Sequence, residues 1–384
     1  MSDHAELVSR ARELAPAIAG RAADAEAMRR PPDETIRELI DAELISILVP
    51  RRWGGLQGSL HTHREVVEII SAACMSTGWI LAFYSGHNWM ALKFSEEAQA
   101  EFFDGKNYAL IPVTTAPTIR IEPTDGGVIA SGRSPWGTGI VHADWVCTGG
   151  RGTDGDIYIV AMRATETTLV DSWHMAAMSG TGSNDFEIDD VFIPDHRVLR
   201  LLDFVNGDTP GARLHDDPMY LLPLMPFIYC EALPVFSGGL RGAATAFEHI
   251  VKNRVRTHTR AVVADDKLAH AQLGEAAAAA LVAERLVADQ VRETIELAES
   301  GHTFSLEDRI RFKAQAGFVV DHCRRAVNDI IHHSGTSNFA DDSPVQRFFR
   351  DINMLATHAF FEPDMCREQM GRSLLGLKPT TPLI

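Results

Sequence analysis

A chain of 384 residues with 45% apolar side chains can bury a large core, so two or three structural units are expected. Its formal net charge of −16 and pI near 5.4 exclude nucleic acid and anionic membrane as main partners, because most of the surface would repel a polyanion. Five scattered cysteines form neither a CxxC pair nor an even framework, and the N-terminus has neither the basic n-region nor the apolar h-region of a signal peptide. A reducing, cytoplasmic setting is expected.

From Ala5 to Arg29, the residues Leu7, Ala11, Leu14, Ile18, Ala22 and Ala25 recur every three or four positions, which predicts one helix with a buried face. A second helix should start behind Pro31-Pro32 and bury Ile36, Leu39 and Ile40. Val66, Val67, Ile69 and Ile70 predict a third, with further helix from Trp79 to Leu92 and from Ser95 to Phe103. An N-terminal helical unit over residues 1–107 follows.

Short runs then alternate with Gly- and Asp-rich turns: Tyr108 to Thr115, Ile119 to Glu122, Val128 to Ser131, Trp145 to Thr148, Ile157 to Met162 and Phe186 to Ile193. Asp125-Gly126-Gly127 and Thr153-Asp154-Gly155 tolerate positive φ and predict tight hairpins. Residues 108–205 should therefore form a small antiparallel sheet or barrel. Met219 to Phe236 is apolar, but Glu231 and three prolines argue against a membrane span and for a buried or pocket-lining segment. Helical patterns then run from Leu233 to Arg256, Asp265 to Glu299, Ser305 to Ser334 and Pro344 to Leu375, a four-helix bundle within residues 206–384.

Two Gly-Thr-Gly triplets, at Gly137 to Gly139 and Gly180 to Gly182, sit inside the predicted β unit. Neither completes GxGxxG nor opens a helix, so they are not dinucleotide loops. His61-x-His63 beside Glu65, and His332-His333, lack a third ligand at recognisable spacing, and no metal is expected.

The segment Gly132-Arg133-Ser134-Pro135-Trp136-Gly137-Thr138-Gly139, followed by His142-Ala143-Asp144-Trp145, resembles the flavin-facing strand motif in the hydroxylase branch of the acyl-CoA dehydrogenase superfamily. Gly180-Thr181-Gly182-Ser183-Asn184-Asp185, running to Asp190-Val191-Phe192-Ile193-Pro194, resembles the strand that closes the same domain. Ser334-Gly335-Thr336, Pro344, Gln346-Arg347, Arg350-Asp351 and His358 resemble the family's last-helix motif. The resemblance covers nearly the whole chain and implies a mainly α protein with a small β domain, the acyl-CoA dehydrogenase fold.

The same resemblance implies the oxygenase component of a two-component flavin-dependent monooxygenase, as in para-hydroxyphenylacetate hydroxylases and phenolic-steroid hydroxylases. Such an enzyme takes reduced FAD or FMN from a separate NAD(P)H:flavin reductase and works as a homotetramer. With O2 the flavin gives a C4a-hydroperoxide that hydroxylates an aromatic substrate, phenolic or indolic, provided water is excluded. By resemblance, Thr138 offers its hydroxyl near flavin N5, Trp136 packs on the isoalloxazine, and Gly139 and Ser183 complete the cradle. Arg254 and Arg256 stand where the superfamily holds flavin phosphates. His87 and His358 match histidines that contact substrate and flavin, and histidine suits the task of sharing a phenol's proton near neutral pH. Trp79, Phe83, Tyr84, His87, Trp89, Phe227 and Tyr229 suit a pocket for a flat ring.

Within the same fold, an acyl-CoA dehydrogenase would need a catalytic carboxylate. Eight residues past Asp351 stands Ala359, with His358 beside it; Glu231 lies near the alternative position. Flavin-dependent N- or S-oxygenation and a non-catalytic flavin-binding role are the remaining alternatives.

Overall fold

A computed structural model of the chain describes residues 4–207, 209–381 and 383–384. The N-terminal helices are α1 (His4–Gly20), α2 (Ala22–Met28), α3 (Asp33–Asp41), α4 (Leu60–Ala73), α5 (Met75–Ala91) and α6 (Glu96–Phe102). The single helix expected from Ala5 to Arg29 is divided at Arg21, and Arg29 closes α2 in the left-handed region at φ 54°. Ser59 caps α4 by accepting from Thr62 N–H, and Ser95 caps α6 by accepting from Ala98 N–H. Almost every residue of α5 is buried, which makes it the central helix of this region.

Among the described residues, seven strands form one sheet in the order β5-β6-β2-β1-β3-β4-β7. They are β1 (Val113–Thr124), β2 (Gly127–Ser134), β3 (Trp145–Gly152), β4 (Ile157–Arg163), β5 (Thr168–Val170), β6 (Asp185–Pro194) and β7 (Val198–Arg200). The two expected hairpins are present, with Gly126 at φ 74° and Gly155 at φ 88°. The antiparallel expectation needs correction at one pair: β1 and β3 run parallel, because the loop 135–144 steps across the start of β1 instead of turning back on β2. The β1 pairing slips around Pro117, which has no N–H for the ladder.

After the short α7 (Leu201–Asn206) come α8 (Leu224–Asn253), α9 (Lys267–Glu299), α10 (Leu306–Ser334), α11 (Pro344–Leu355) and α12 (Pro363–Leu374). Helix α8 starts nine residues before the expected Leu233 and takes in Pro226 and Pro234. Pro226 sits in the first turn, where its missing N–H costs nothing, and dense packing on all sides carries the helix through Pro234. The helix expected from Pro344 to Leu375 is two helices. Pro363 takes the first turn of α12 and the Glu362 side chain accepts from Asp364 and Met365 N–H, so the chain breaks between Leu355 and Pro363 and leaves His358 in the bend. Helix α8 is the hub, packed against α4, α5, α9, α10 and α11. No helix of the described residues is long and apolar enough to cross a membrane.

His63, on α4, is fully buried, and desolvation pushes its pKa down to about 4. The unfolded chain takes up this proton below about pH 6.5, whereas the folded chain resists it until about pH 4, so stability is lost as pH falls through that window. His63→Leu is expected to remove about 3 kcal/mol of this acid-side loss, given ~1.4 kcal/mol per pKa unit. Urea unfolding at pH 7 and pH 4.5 reads it; equal pH dependence in variant and wild type would contradict it.

Candidate active site

Trp79, Phe83 and His87 recur every fourth residue on α5 and so share one face. Their rings form a row, Trp79 to Phe83 at 4.2 Å and Phe83 to His87 at 4.7 Å between centroids. The edge of Trp79 meets His358 at 5.8 Å, across from the bend between α11 and α12. There His358 stacks on Phe361 at 5.0 Å, and its Nδ1 accepts from Phe360 N–H at 3.3 Å. The row thus leads from half-buried His358 inward to His87, which is only 2% exposed and closes the deep end. Desolvation pushes both histidine pKa values down to about 4, so both imidazoles are neutral at pH 7.

His87 Nδ1 is held by the main chain, 2.8 Å from Ile111 O and 3.1 Å from Val113 N. Its Nε2 lies 3.9 Å from Glu231 Oε1 on α8. The sequence pointed to Glu231 only as an alternative dehydrogenase base; the fold sets it beside the substrate-side histidine.

The two Gly-Thr-Gly loops meet beside this row. Trp136, Gly139, Met178 and Gly182 all adopt positive φ, between 52° and 75°, and the loops are laced by Gly137 N–H to Asn184 O at 2.9 Å and Gly139 N–H to Thr181 O at 3.2 Å. Between them runs a buried hydroxyl chain: Thr138 Oγ1 to Ser183 Oγ at 3.1 Å, Ser183 Oγ to Thr181 Oγ1 at 2.8 Å, and Thr181 Oγ1 to Met178 O at 2.8 Å. Tyr84 donates to Gly139 O at 2.5 Å, which fastens α5 to this loop, and a Cβ at Gly139 would lie 2.6 Å from the Tyr84 hydroxyl. Tyr84 therefore positions the loop.

The last-helix motif braces the same loops from behind. Asp351 Oδ1 accepts from Met178 N–H at 2.6 Å, with its pKa pushed up to about 6 by burial, and Arg350 donates to Ala176 O. Arg347 and Arg350 also pair with Glu26 on α2, at 2.8 and 2.5 Å.

Trp136 is 63% exposed at the lip of the hydroxyl chain, although φ of 63° is costly for a bulky residue. An open indole face next to a buried hydroxyl suits a flat ring system with a polar edge, and the residues fit a flavin in that respect. Arg254 donates to Ser334 O at 2.7 Å, and a Cβ at Gly335 would lie 2.4 Å from its guanidinium, so this arginine and the Ser334-Gly335-Thr336 motif meet. Arg256 pairs with Asp266. Phe227 stacks on Trp89 at 3.7 Å in the core, and Tyr229 is buried facing Phe361, with no hydrogen-bond partner for its hydroxyl. Phe227 thus lies in the core beside Trp89, whereas Tyr229 faces the Phe361 that stacks on His358.

Sequence reasoning missed Phe360 and Phe361 as neighbours of His358, although their adjacency was visible, and gave no role to Thr181 within its triplet. It also missed that His4 joins His61 and Glu65, with ligand atoms all within 4.8 Å of one another, while His63 turns into the core. His4 there bonds Thr62 and Glu65, at 3.1 and 3.2 Å.

Residues 1–103 match the acyl-CoA dehydrogenase N-terminal domain family, and residues 234–363 match the acyl-CoA dehydrogenase C-terminal domain family. The chain belongs to the acyl-CoA dehydrogenase superfamily. Relatives that align over nearly the whole chain are named as hydroxylases and monooxygenases, several of them flavin-dependent. A pigment production hydroxylase of Rhodococcus sp. is 38% identical over 99% of this chain and 98% of its own. The FADH2-dependent resorcinol hydroxylase oxygenase component of Rhizobium sp. is 32% identical over 98% of this chain and 95% of its own. The solved structure of XiaF from Streptomyces sp., in complex with FADH2 and glycerol, superposes with a TM-score of 0.93 at 27% identity, covering 99% of this chain and 98% of XiaF.

Proposed function

We propose that this protein is the oxygenase component of a two-component flavin-dependent monooxygenase that hydroxylates an aromatic compound. The observation that carries the reading is the pairing of a buried hydroxyl chain under an exposed indole with a row of rings ending in a neutral histidine. Reduced FAD or FMN, delivered by a separate NAD(P)H:flavin reductase, supplies with O2 the oxygen atom that is transferred.

The chain's own groups do the rest. Trp136 offers a face for the ring system, and Thr138 and Ser183 line its edge. Thr181 must donate to Met178 O, because a carbonyl only accepts; Ser183 then donates to Thr181, and Thr138 to Ser183. That polarity leaves the Thr138 oxygen its lone pairs, to accept from an N–H of the bound ring. The aromatic row packs the substrate and excludes water, and His87 takes or shares the substrate's proton at Nε2. Arg254 and Arg256 are the basic groups for the flavin phosphates, in a homotetramer whose neighbouring subunits complete each site.

Supplied with reduced FAD and resorcinol, the protein is expected to form hydroxylated product, and with NADH and FAD alone it is expected to oxidise no NADH. Thr138→Ala should divert reducing equivalents to hydrogen peroxide, lowering product per O2 by about tenfold, the worth of one lost hydrogen bond of ~1.4 kcal/mol. Thr138→Ser should restore most of the yield. NADH oxidation without a reductase would overturn the two-component reading, and unchanged coupling in Thr138→Ala would overturn the role of the threonine.

A further inference from the structure

His87 Nδ1 lies 2.8 Å from Ile111 O, a group that can only accept, and 3.1 Å from Val113 N; the shorter contact needs a proton between its two atoms, so the ring proton is assigned to Nδ1, Val113 N–H does not donate to it, and a lone pair is left on Nε2. Facing it, Glu231 Oε1 is buried and has no hydrogen-bond partner. Buried polar atoms without partners are rare and call for an explanation. The 3.9 Å gap between the two is too long for a direct hydrogen bond, but it lets a single oxygen sit about 2.8 Å from each. The backbone makes room for the carboxyl: a Cβ at Gly86 would lie 1.9 Å from Glu231 Oε1.

We propose that Glu231 and His87 together seat one hydroxyl oxygen of the aromatic substrate, which makes Glu231 the residue that selects a phenol over an indole. The inference rests on the oxygenase reading above and adds a substrate class to it. Burial raises the Glu231 carboxyl well above the usual carboxylate range, which favours the neutral form with an O–H to donate. A phenol oxygen fits both partners at once, giving its proton to Nε2 and accepting from the carboxyl. An indole N–H can serve Nε2, but its nitrogen has no lone pair in the ring plane to accept, and the carboxyl stays unpaired. A site built around a substrate hydroxyl discriminates strongly against analogues that lack it, so a preference of at least about 10²-fold is expected.

The test uses the full-length protein with reduced FAD supplied, and compares kcat/KM for resorcinol and for indole, alongside calorimetric binding of resorcinol without flavin. Wild type should favour resorcinol. Glu231→Leu should lower kcat/KM for resorcinol by about 10²-fold and weaken its binding by about tenfold, with indole turnover unchanged or improved. Glu231→Gln, whose amide N–H replaces the acid proton, should stay within about tenfold of wild type. Glu231→Asp withdraws the carboxyl by one methylene with little disturbance to the fold, and it too should lower the resorcinol-to-indole ratio. A ratio unmoved in Glu231→Asp, or a wild type that prefers indole, overturns the proposal. A wild type that hydroxylates neither compound, nor any other phenol or indole, overturns the oxygenase reading itself, whereas normal hydroxylation with an unmoved ratio removes only the role of Glu231.

Discussion

Replacing His87 by alanine is expected to slow aromatic hydroxylation by ~10²–10⁴-fold, the range typical of a lost acid–base partner, while flavin binding stays close to wild type. The expectation follows from how the ring is held. Nδ1–H donates to Ile111 O at 2.8 Å, which holds the imidazole and presents Nε2 to the deep end of the aromatic row. Burial keeps it neutral, hence able to take a proton at pH 7 without first losing one. His87 is remote in sequence from the Thr138 and Trp136 loop, so flavin affinity, read by quenching of tryptophan fluorescence, serves as the control.

His358→Ala should have a smaller effect, raising KM more than it lowers kcat. His358 is half-buried in a bend, its Nδ1 is engaged by Phe360 N–H, and its main contacts are ring faces and edges, including Trp79 and Phe361. These contacts place His358 among the rings at the outer end of the row. Single-turnover product formation would rank the two histidines; a rate within about threefold of wild type in His87→Ala would assign proton transfer elsewhere.

Sequence carried the long-range outline because that outline is periodic. Helical spacing located α4, α5, α9 and α10 within a few residues, and the Asp-Gly-Gly and Asp-Gly turns located two hairpins. The start of α8 was missed because tertiary packing overruled a local signal. The helix expected from Leu233 starts at Leu224 instead; Pro226 fits its first turn, and burial on every side carries it through Pro234. The bend at His358 had a local signal in Pro363, which starts α12, but helical periodicity on both sides outweighed it. In the site, the motifs identified Thr138, Ser183, His87 and His358 as residues of interest, but not their grouping. That His87 and Glu231, 144 residues apart in the chain, face each other follows from the packing of α5 on α8, and no spacing rule encodes it.

Lys93→Met is expected to destabilise the protein by about 1–3 kcal/mol, the usual effect of leaving a buried acceptor without its donor. Lys93 follows α5 directly and is fully buried. Among the described residues its ammonium donates to the carbonyls Gly207 O at 3.3 Å, Leu222 O at 3.3 Å and Tyr220 O. It also sits 3.8 Å above the Trp89 ring, whose other contacts are the stacked Phe227 and a hydrogen bond from Nε1 to Met219 O at 2.8 Å. One cation thus gathers the connection that leads into α8. Methionine would fill most of the volume, but it would leave the three carbonyls without their donor and the indole without its cation. In urea the midpoint should fall while the slope with denaturant is unchanged, the signature of a stability change in the same folded structure. Because this connection sets where α8 begins, Lys93→Met should also let Glu231 drift from His87 Nε2, lowering resorcinol turnover below the level that the folded fraction alone would give. A midpoint shift worth less than about 1 kcal/mol would show that water satisfies those carbonyls, and that the segment is held by Trp89 and Phe227 instead.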